Sequence, residues 1–183
     1  MRFLIIIAFL FMSSMTQAQE RPIKLKENEA LSGTFSQKRF LSGFGHPITS
    51  EGEFYFDRAQ GLVWKTTSPF ETELQINKTG MSQSVDGQET IQVSTNQFPA
   101  LKTLHDVLSL SMQGQWDILE EKFGAKLTPL ETGWSLSFQA PKDAPFKSIY
   151  LEGAKHLKKL IIVKPEDDKD VINFNNQTVL QVK

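Results

Sequence analysis

The residues that most often carry catalysis are dispersed along this sequence. His46, His105 and His156 stand alone, and none belongs to a His-Glu-x-x-His motif or another metal-ligand spacing. No Gly-x-Ser-x-Gly nucleophile motif and no glycine-rich phosphate loop occurs. We therefore predict that the protein is not an enzyme and has no catalytic residue, metal or cofactor. A Ser–His–Asp site assembled from distant segments, and with it a hydrolase, stays an alternative.

The absence of cysteine and the nearly balanced charge remove further classes of site. A chain without cysteine has no cysteine-ligated zinc, thiol nucleophile or cysteine-linked lipid anchor. The acidic turn at residues 166–168 lacks the ligand spacing of a calcium loop. A formal net charge of −1 offers no electrostatic attraction for nucleic acid, which we do not expect as a partner.

Arg58 is the charged residue with the most unusual position. Gly52, Phe54 and Phe56 alternate along a predicted strand, and Arg58 continues the same parity. If the strand extends that far, Arg58 points to the apolar side. An unpaired guanidinium is costly there, so it must find acceptors such as free carbonyls at a helix end or a ligand head group. If the hairpin begins at Asp57, Arg58 faces water, and the residues alone slightly favour this second interpretation.

The elements that must position these residues are mostly strands. In residues 70–77, four polar side chains alternate with four that are apolar or threonine, which predicts a half-buried strand. The dipeptide Asp86-Gly87 predicts a turn between two weaker strands in residues 81–94. Further strands are predicted at residues 33–41, 51–57, 62–66, 125–130, 134–140, 147–152, 157–164 and 171–175. Short strands separated by turns predict an antiparallel sheet, sandwich or barrel.

The periodicity becomes helical in the middle of the chain. Pro99 suits the first turn of a helix, and Gly114 ends it or breaks it. The helical spacing is carried by Leu101, Leu104, Leu108 and Met112. A second short helix is predicted at residues 115–122, and residues 26–31 allow at most one further short helix.

The first 18 residues predict a signal peptide. Arg2 is a positive start, residues 3–12 form an apolar run, and Thr16 and Ala18 are small residues suited to a cleavage site. The run is shorter than the ~20 residues that span a membrane. We therefore predict cleavage after about Ala18 and a single β-rich domain, residues 19–183, outside the cytoplasm.

An ordered set of motifs resembles the LolA-like family of periplasmic lipoprotein carriers. The central motif, at residues 50–64, places a glycine, alternating aromatics, an arginine and a tryptophan around a short loop. The N-terminal helix of that family is short or absent here, which is typical of a divergent paralogue. The other segments that carry the resemblance are residues 33–39, Pro69, and residues 74–77, 133–141 and 156–175.

The resemblance implies a fold and a function. The implied fold is mainly β: a curved, half-open antiparallel β-barrel with helices forming a lid over the concave apolar face. The family's functional arginine matches Arg58, which implies an inward side chain bonded to backbone carbonyls of the lid helices. The implied apolar cavity, whose members could equally be ordinary core, comprises Phe54, Phe56, Trp64, Phe70, Leu74, Ile76, Leu104 and Leu108.

The same resemblance implies partners and a place in the cell. A monomeric periplasmic carrier would take acylated lipoproteins, or another acylated lipid, from an inner-membrane transporter to an outer-membrane acceptor. An apolar cavity suits this role because an acyl chain gains about 0.8 kcal/mol per buried CH₂. The alternative is a lipid-binding or envelope-sensing module of the same fold without transfer activity.

Overall fold

The computed structural model describes residues 22–139, 144 and 146–182, so the predicted signal peptide lies outside the described residues. Within them the chain forms six strands, two helices and five further strands. The first strands are β1 (Glu29–Phe40), β2 (Ile48–Asp57), β3 (Gly61–Ser68), β4 (Thr72–Ile76), β5 (Gly80–Val85) and β6 (Gln88–Ser94). The helices are α1 (Pro99–Met112) and α2 (Trp116–Phe123). The last strands are β7 (Thr128–Leu130), β8 (Gly133–Gln139), β9 (Ser148–Gly153), β10 (Leu157–Val163) and β11 (Lys169–Gln181).

All eleven described strands belong to one open antiparallel sheet. Its order is β6-β5-β4-β3-β2-β1-β11-β10-β9-β8-β7, so β6 and β7 are its two edges. The long central pair of β1 and β11 joins the two halves of the sheet. Helices α1 and α2 follow β6 and precede β7 in the chain. The segment that connects the two edges of the sheet therefore consists mainly of these helices.

The sheet curves around the two helices. Helix α1 contacts β3 and β5, whereas Trp116 and Phe123 of α2 pack against Trp134 and Phe138 of β8. Strands β3 and β8 are six positions apart in the sheet, which is roughly 29 Å in a flat sheet at about 4.8 Å per strand. Contact of one helix pair with both requires a concave face, the name we use for the face that the helices cover.

The core fills the space between the helices and the concave face. Its members from the helices include Val107, Met112 and Leu119, and those from the strands include Leu31 and Phe56. The side-chain period of two explains this division, because alternate residues of each strand point to the same face. The predicted mainly β fold with a curved, half-open sheet and helices on its concave face is confirmed.

Two local predictions are confirmed and one is wrong. Asp86 and Gly87 both have positive φ angles, 51° and 76°, and form the predicted turn between β5 and β6. The middle helices begin and end within two residues of their predicted bounds. The weak helix at residues 26–31 is not formed, because β1 begins at Glu29 and pairs with β11. No helix in the described part of the chain has the length and apolarity needed to cross a membrane.

Candidate functional site

A groove of about 390 Å³ lies where the concave face emerges from beneath the helices. It is formed by neighbouring strands β1 to β5, at the end of the sheet where β1 ends and β2 begins. We call it the concave groove. Its lining residues are Gln37, Arg39, Ile48, Ser50, Trp64, Thr66, Pro69, Phe70, Thr72, Leu74 and Gln83.

Strand alternation explains why the groove follows directly from the core. On β1 the inward positions run from buried Phe35 to Gln37 and then Arg39. On β3 the inward residue after Trp64 is Thr66. The same face is therefore aromatic beneath the helices and becomes smaller and more polar beyond them.

The floor of the groove is apolar. Trp64 is 9% exposed and packs on Phe35, with ring centroids 3.8 Å apart. The rings of Trp64 and Phe174 are perpendicular, with centroids 5.8 Å apart. Leu74 lies opposite Trp64 in the β3–β4 register. Phe70 is 77% exposed and stands at the mouth of the groove. These side chains supply the apolar part of the lining, from buried Trp64 to exposed Phe70.

A fixed cation stands at the rim of this floor. Arg39 donates from Nε to Oδ1 of buried Asp170 at 2.8 Å, and Lys164 Nζ lies 2.9 Å from Oδ2 of the same carboxylate. Burial raises the pKa of Asp170, but the hydrogen bonds from Arg39 and Lys164 outweigh it and hold the pKa below its usual value. One carboxylate thus faces two cations, and a net positive charge remains beside the groove.

The structure divides the eight predicted cavity residues into two groups. Trp64, Phe70 and Leu74 line the concave groove. Phe70 precedes β4, which begins at Thr72 rather than at residue 70 as predicted. Trp64 belongs to the core cluster as well, and Leu74 packs against it. The predicted residues that pack in the core or against it without lining the groove are Phe54, Phe56, Ile76, Leu104 and Leu108.

Sequence reasoning did not select the polar part of the groove. Gln37, Arg39 and Gln83 line it, and Asp170 orients Arg39. The parity of Phe35, Gln37 and Arg39 was available as a signal in β1. The partner at position 170 was not, because the β1–β11 register that places Arg39 opposite Asp170 joins residues far apart in the chain.

Arg58 lies in the turn after β2 and bonds to an N-terminal segment, residues 22–26, which we call the strap. Its Nη2 donates to the carbonyl oxygen of Leu25 at 2.8 Å. The N–H of Leu25 in turn donates to the carbonyl oxygen of Gln113, just after α1, at 3.0 Å. Arg58 is therefore partly buried and hydrogen-bonded. Its acceptor is the strap and not a helix carbonyl, and the strap in turn bonds to the carbonyl of Gln113.

Further contacts hold the strap in place beside the Arg58 bond. The N–H of Ile23 donates to the carbonyl oxygen of Lys155 at 2.9 Å, and Leu25 is buried in the core. Gly114 has a φ of +69°, and a Cβ at this position would overlap the carbonyl oxygen of Ile23. The strap thus ties the end of α1 to the barrel wall, and Arg58 reaches the helices through it.

The three histidines lie on separate elements. His46 is exposed in the β1–β2 loop, and His105 on α1 is buried beside Asp106, with Nδ1 3.2 Å from Oδ1. His156 lies between β9 and β10, where burial and then the nearby Lys155 lower its pKa. Among the described residues no group of three potential metal-ligating side chains occurs. The concave groove combines shape, apolar surface and a single charge, and we take it as the candidate site.

Comparisons with known proteins place this fold beside several solved structures. One of these is a LolA superfamily protein. It comes from Nitrosomonas europaea, is 8% identical, has a TM-score of 0.45, and the match covers 88% of this chain and 89% of that one. A DUF1329 family protein from Desulfovibrio piger is 10% identical with a TM-score of 0.43, over 83% and 85% of the two chains.

A third similar structure is the MucA/MucB complex of Pseudomonas aeruginosa. It is 14% identical with a TM-score of 0.39, and the match covers 86% of this chain but 54% of that one. No family model matches the chain, and no curated protein matches it.

Proposed function

We propose that this protein is an exported carrier for acyl chains, which it holds in the concave groove while they cross the periplasm. The cargo class is the acyl chains of lipoproteins or of a related acylated lipid. The donor would be an inner-membrane transporter and the acceptor an outer-membrane protein. The observation that carries the proposal is the apolar floor of Trp64, Leu74 and Phe70, which opens directly to solvent.

The chemistry of the groove supports binding without catalysis. Each methylene transferred from water to the apolar floor contributes about 0.8 kcal/mol. Ten methylenes would give about 8 kcal/mol before the cost of association, so a net affinity weak enough for release is expected. A carrier needs this balance, since cargo bound too tightly would not reach its acceptor.

The attachment of the helices supports release. The strap links α1 to the barrel through hydrogen bonds at Ile23 and Leu25 and through Arg58. The resemblance implies that the arginine at this position sets the balance between closed and open states. A few hydrogen bonds, each contributing about 0.5–3 kcal/mol net, suit an equilibrium that cargo can shift.

Binding is tested with a long-chain fluorescent fatty acid and the mature protein. Thr72→Trp places a large side chain in the groove, whereas Glu73→Trp places the same side chain on the opposite face of the same strand. We expect the first variant to lose binding and the second to keep it. Equal binding by both variants would remove the groove from the proposal, and absence of binding by the wild type would overturn it.

Carrier activity is tested by transfer between membranes. Donor vesicles containing a fluorescent acylated peptide are separated from acceptor vesicles by a dialysis membrane that the protein crosses and vesicles do not. We expect the wild type to accelerate arrival in the acceptor, and Thr72→Trp to fail. Binding without acceleration would leave a binding module and contradict the carrier.

A further inference from the structure

The charge beside the concave groove indicates which chemical class of ligand the groove binds. We infer that the groove binds a single acyl chain with an anionic head group, and that Arg39 contacts this head group. The inference rests on the proposed function, since it assumes that an acyl chain occupies the groove. It adds the number of chains and the sign of the head group.

The first step is the electrostatics of the lining. Of the eleven lining residues, Arg39 carries the only formal charge. Gln37, Ser50, Thr66, Thr72 and Gln83 supply neutral polar groups. In the described part of the chain no carboxylate lines the groove. The nearest one named here, Asp170, is shared between Arg39 and Lys164, so an anion placed beside Arg39 meets a net positive charge and hydrogen-bond donors.

The second step is the orientation of Arg39. Asp170 accepts from its Nε, which leaves the terminal Nη groups as donors on a side chain that is 46% exposed. Lys164 supplies the second cation to Asp170, so the carboxylate does not consume the whole charge of Arg39. A guanidinium held at Nε presents its two terminal nitrogens in the fork that carboxylate and phosphate oxygens accept.

The third step concerns acidic residues of the neighbouring β10–β11 turn. Oδ1 of Asp168 accepts from the N–H of Ser42 at 2.8 Å, and Oδ1 of Asp167 accepts from Lys147 Nζ at 2.6 Å. Neither of these two carboxylates lines the groove. The guanidinium of Arg39 is thus the charged group that lines the groove among the described residues.

The size of the groove sets the number of chains. Its volume of about 390 Å³ is near the lower end of the 300–1,000 Å³ of small-molecule pockets. Beyond Trp64 the space is filled, because Phe35, Phe54 and Phe174 are buried and their rings pack against one another and against Trp64. One chain can lie from Trp64 to Phe70, whereas several chains would require the core to repack.

The experiment compares ligands of equal chain length in displacement of the fluorescent fatty acid. The probes are palmitate, hexadecyl phosphate, neutral hexadecanol and the two-chain anionic lipid dipalmitoyl phosphatidic acid. We expect palmitate and hexadecyl phosphate to bind about tenfold more tightly than hexadecanol, near the lower limit for a hydrogen bond to a charged group because Arg39 is partly exposed. We expect the two-chain lipid to bind more weakly than hexadecyl phosphate.

Two variants assign the preference to Arg39. Arg39→Gln should bring the two anions to the affinity of hexadecanol and leave hexadecanol binding unchanged. Lys38→Gln removes the same charge from the exposed opposite face of β1 and should keep the preference. If Arg39→Gln does not fold, the affinities of the wild type are measured at increasing ionic strength instead. A head-group contact predicts that raised ionic strength weakens palmitate binding but not hexadecanol binding.

The outcomes separate this inference from the proposed function. Equal affinity for palmitate and hexadecanol, or equal loss in both variants, would overturn the anionic head group and leave acyl binding intact. Stronger binding of the two-chain lipid would overturn the single chain. Failure of every probe to displace the fluorescent fatty acid, or of that acid to bind, would overturn the proposed function itself.

Discussion

Leu25 anchors the strap, and its truncation to alanine is expected to free the strap while leaving the sheet folded. The side chain is 2% exposed and belongs to the core cluster. Truncation of a buried leucine to alanine costs about 2–5 kcal/mol. The backbone bonds of the strap are formed by either residue, so the perturbation acts through packing alone.

The magnitude can be compared with the other attachments of the strap. The backbone bonds of Ile23 and Leu25 contribute about 0.5–1.5 kcal/mol each, and the charged bond from Arg58 about 1.5–3 kcal/mol. The exposed ion pair between Lys24 and Asp117 adds about 0–1 kcal/mol. The leucine side chain therefore contributes about as much as the hydrogen bonds together, and its loss should open the strap much more often.

Amide hydrogen exchange measures this opening. A cost of 2–5 kcal/mol corresponds to roughly 30- to 4,000-fold faster exchange at the amides of Ile23 and Leu25 in Leu25→Ala. A peptide from β10 should keep its wild-type rate, because strap opening does not require the sheet to open. The matched control is Ile23→Ala, since Ile23 is 47% exposed and its truncation should change exchange little.

Two results would refute this reasoning. If exchange rises equally in the strap and in β10, the strap opens only when the whole domain unfolds and cannot act as a separate attachment. If Leu25→Ala and Ile23→Ala have the same small effect, burial of Leu25 does not hold the strap.

Three further predictions concern the strap and the rim of the groove. Gly114→Ala should lower the melting temperature and accelerate strap exchange, because alanine disfavours a φ of +69° and its Cβ overlaps the carbonyl of Ile23; an unchanged melting temperature would contradict this. Arg58→Leu should shift the closed–open equilibrium and impair cargo release, and unchanged transfer in the vesicle assay would argue against that role. Asp170→Asn should lose stability at about pH 7, and its deficit against wild type should be smaller at about pH 3: the lowered pKa of Asp170 gives stability that is present above the unfolded value near 3.9 and is lost as pH falls through the folded pKa. Urea denaturation at the two pH values measures it, and an equal deficit at both would exclude the titration of Asp170 as its source.

Much of the fold is predictable because it depends on local patterns. Alternation predicts the strands, and the dipeptide Asp86-Gly87 predicts its turn because both residues tolerate positive φ. The change to helical spacing after Pro99 predicts both helices. The helix predicted at residues 26–31 is wrong for the opposite reason. That segment has a weak local preference, and pairing with β11 decides that β1 begins within it.

Which residues form the candidate site depends less on the local sequence pattern than on how each side chain is packed in the folded protein. Phe54, Trp64 and Leu74 all face the concave side, as alternation predicts. Phe54 lies in the core and does not line the groove, whereas Trp64 and Leu74 contact the core and also line the groove. The alternation of side chains along a strand assigns each residue to one face of the sheet, but it does not say whether that residue is in the core or in the groove. The sequence prediction therefore placed core and groove residues in one set.

The sequence by itself determined which face of each strand is apolar, where the chain turns, and that Arg58 shares the parity of the aromatics before it. Only the tertiary structure decided what Arg58 and Arg39 contact. Leu25 meets Arg58 because the strap crosses the end of α1, and Asp170 meets Arg39 through the β1–β11 register. Both contacts join distant segments through long-range packing, which no local periodicity encodes.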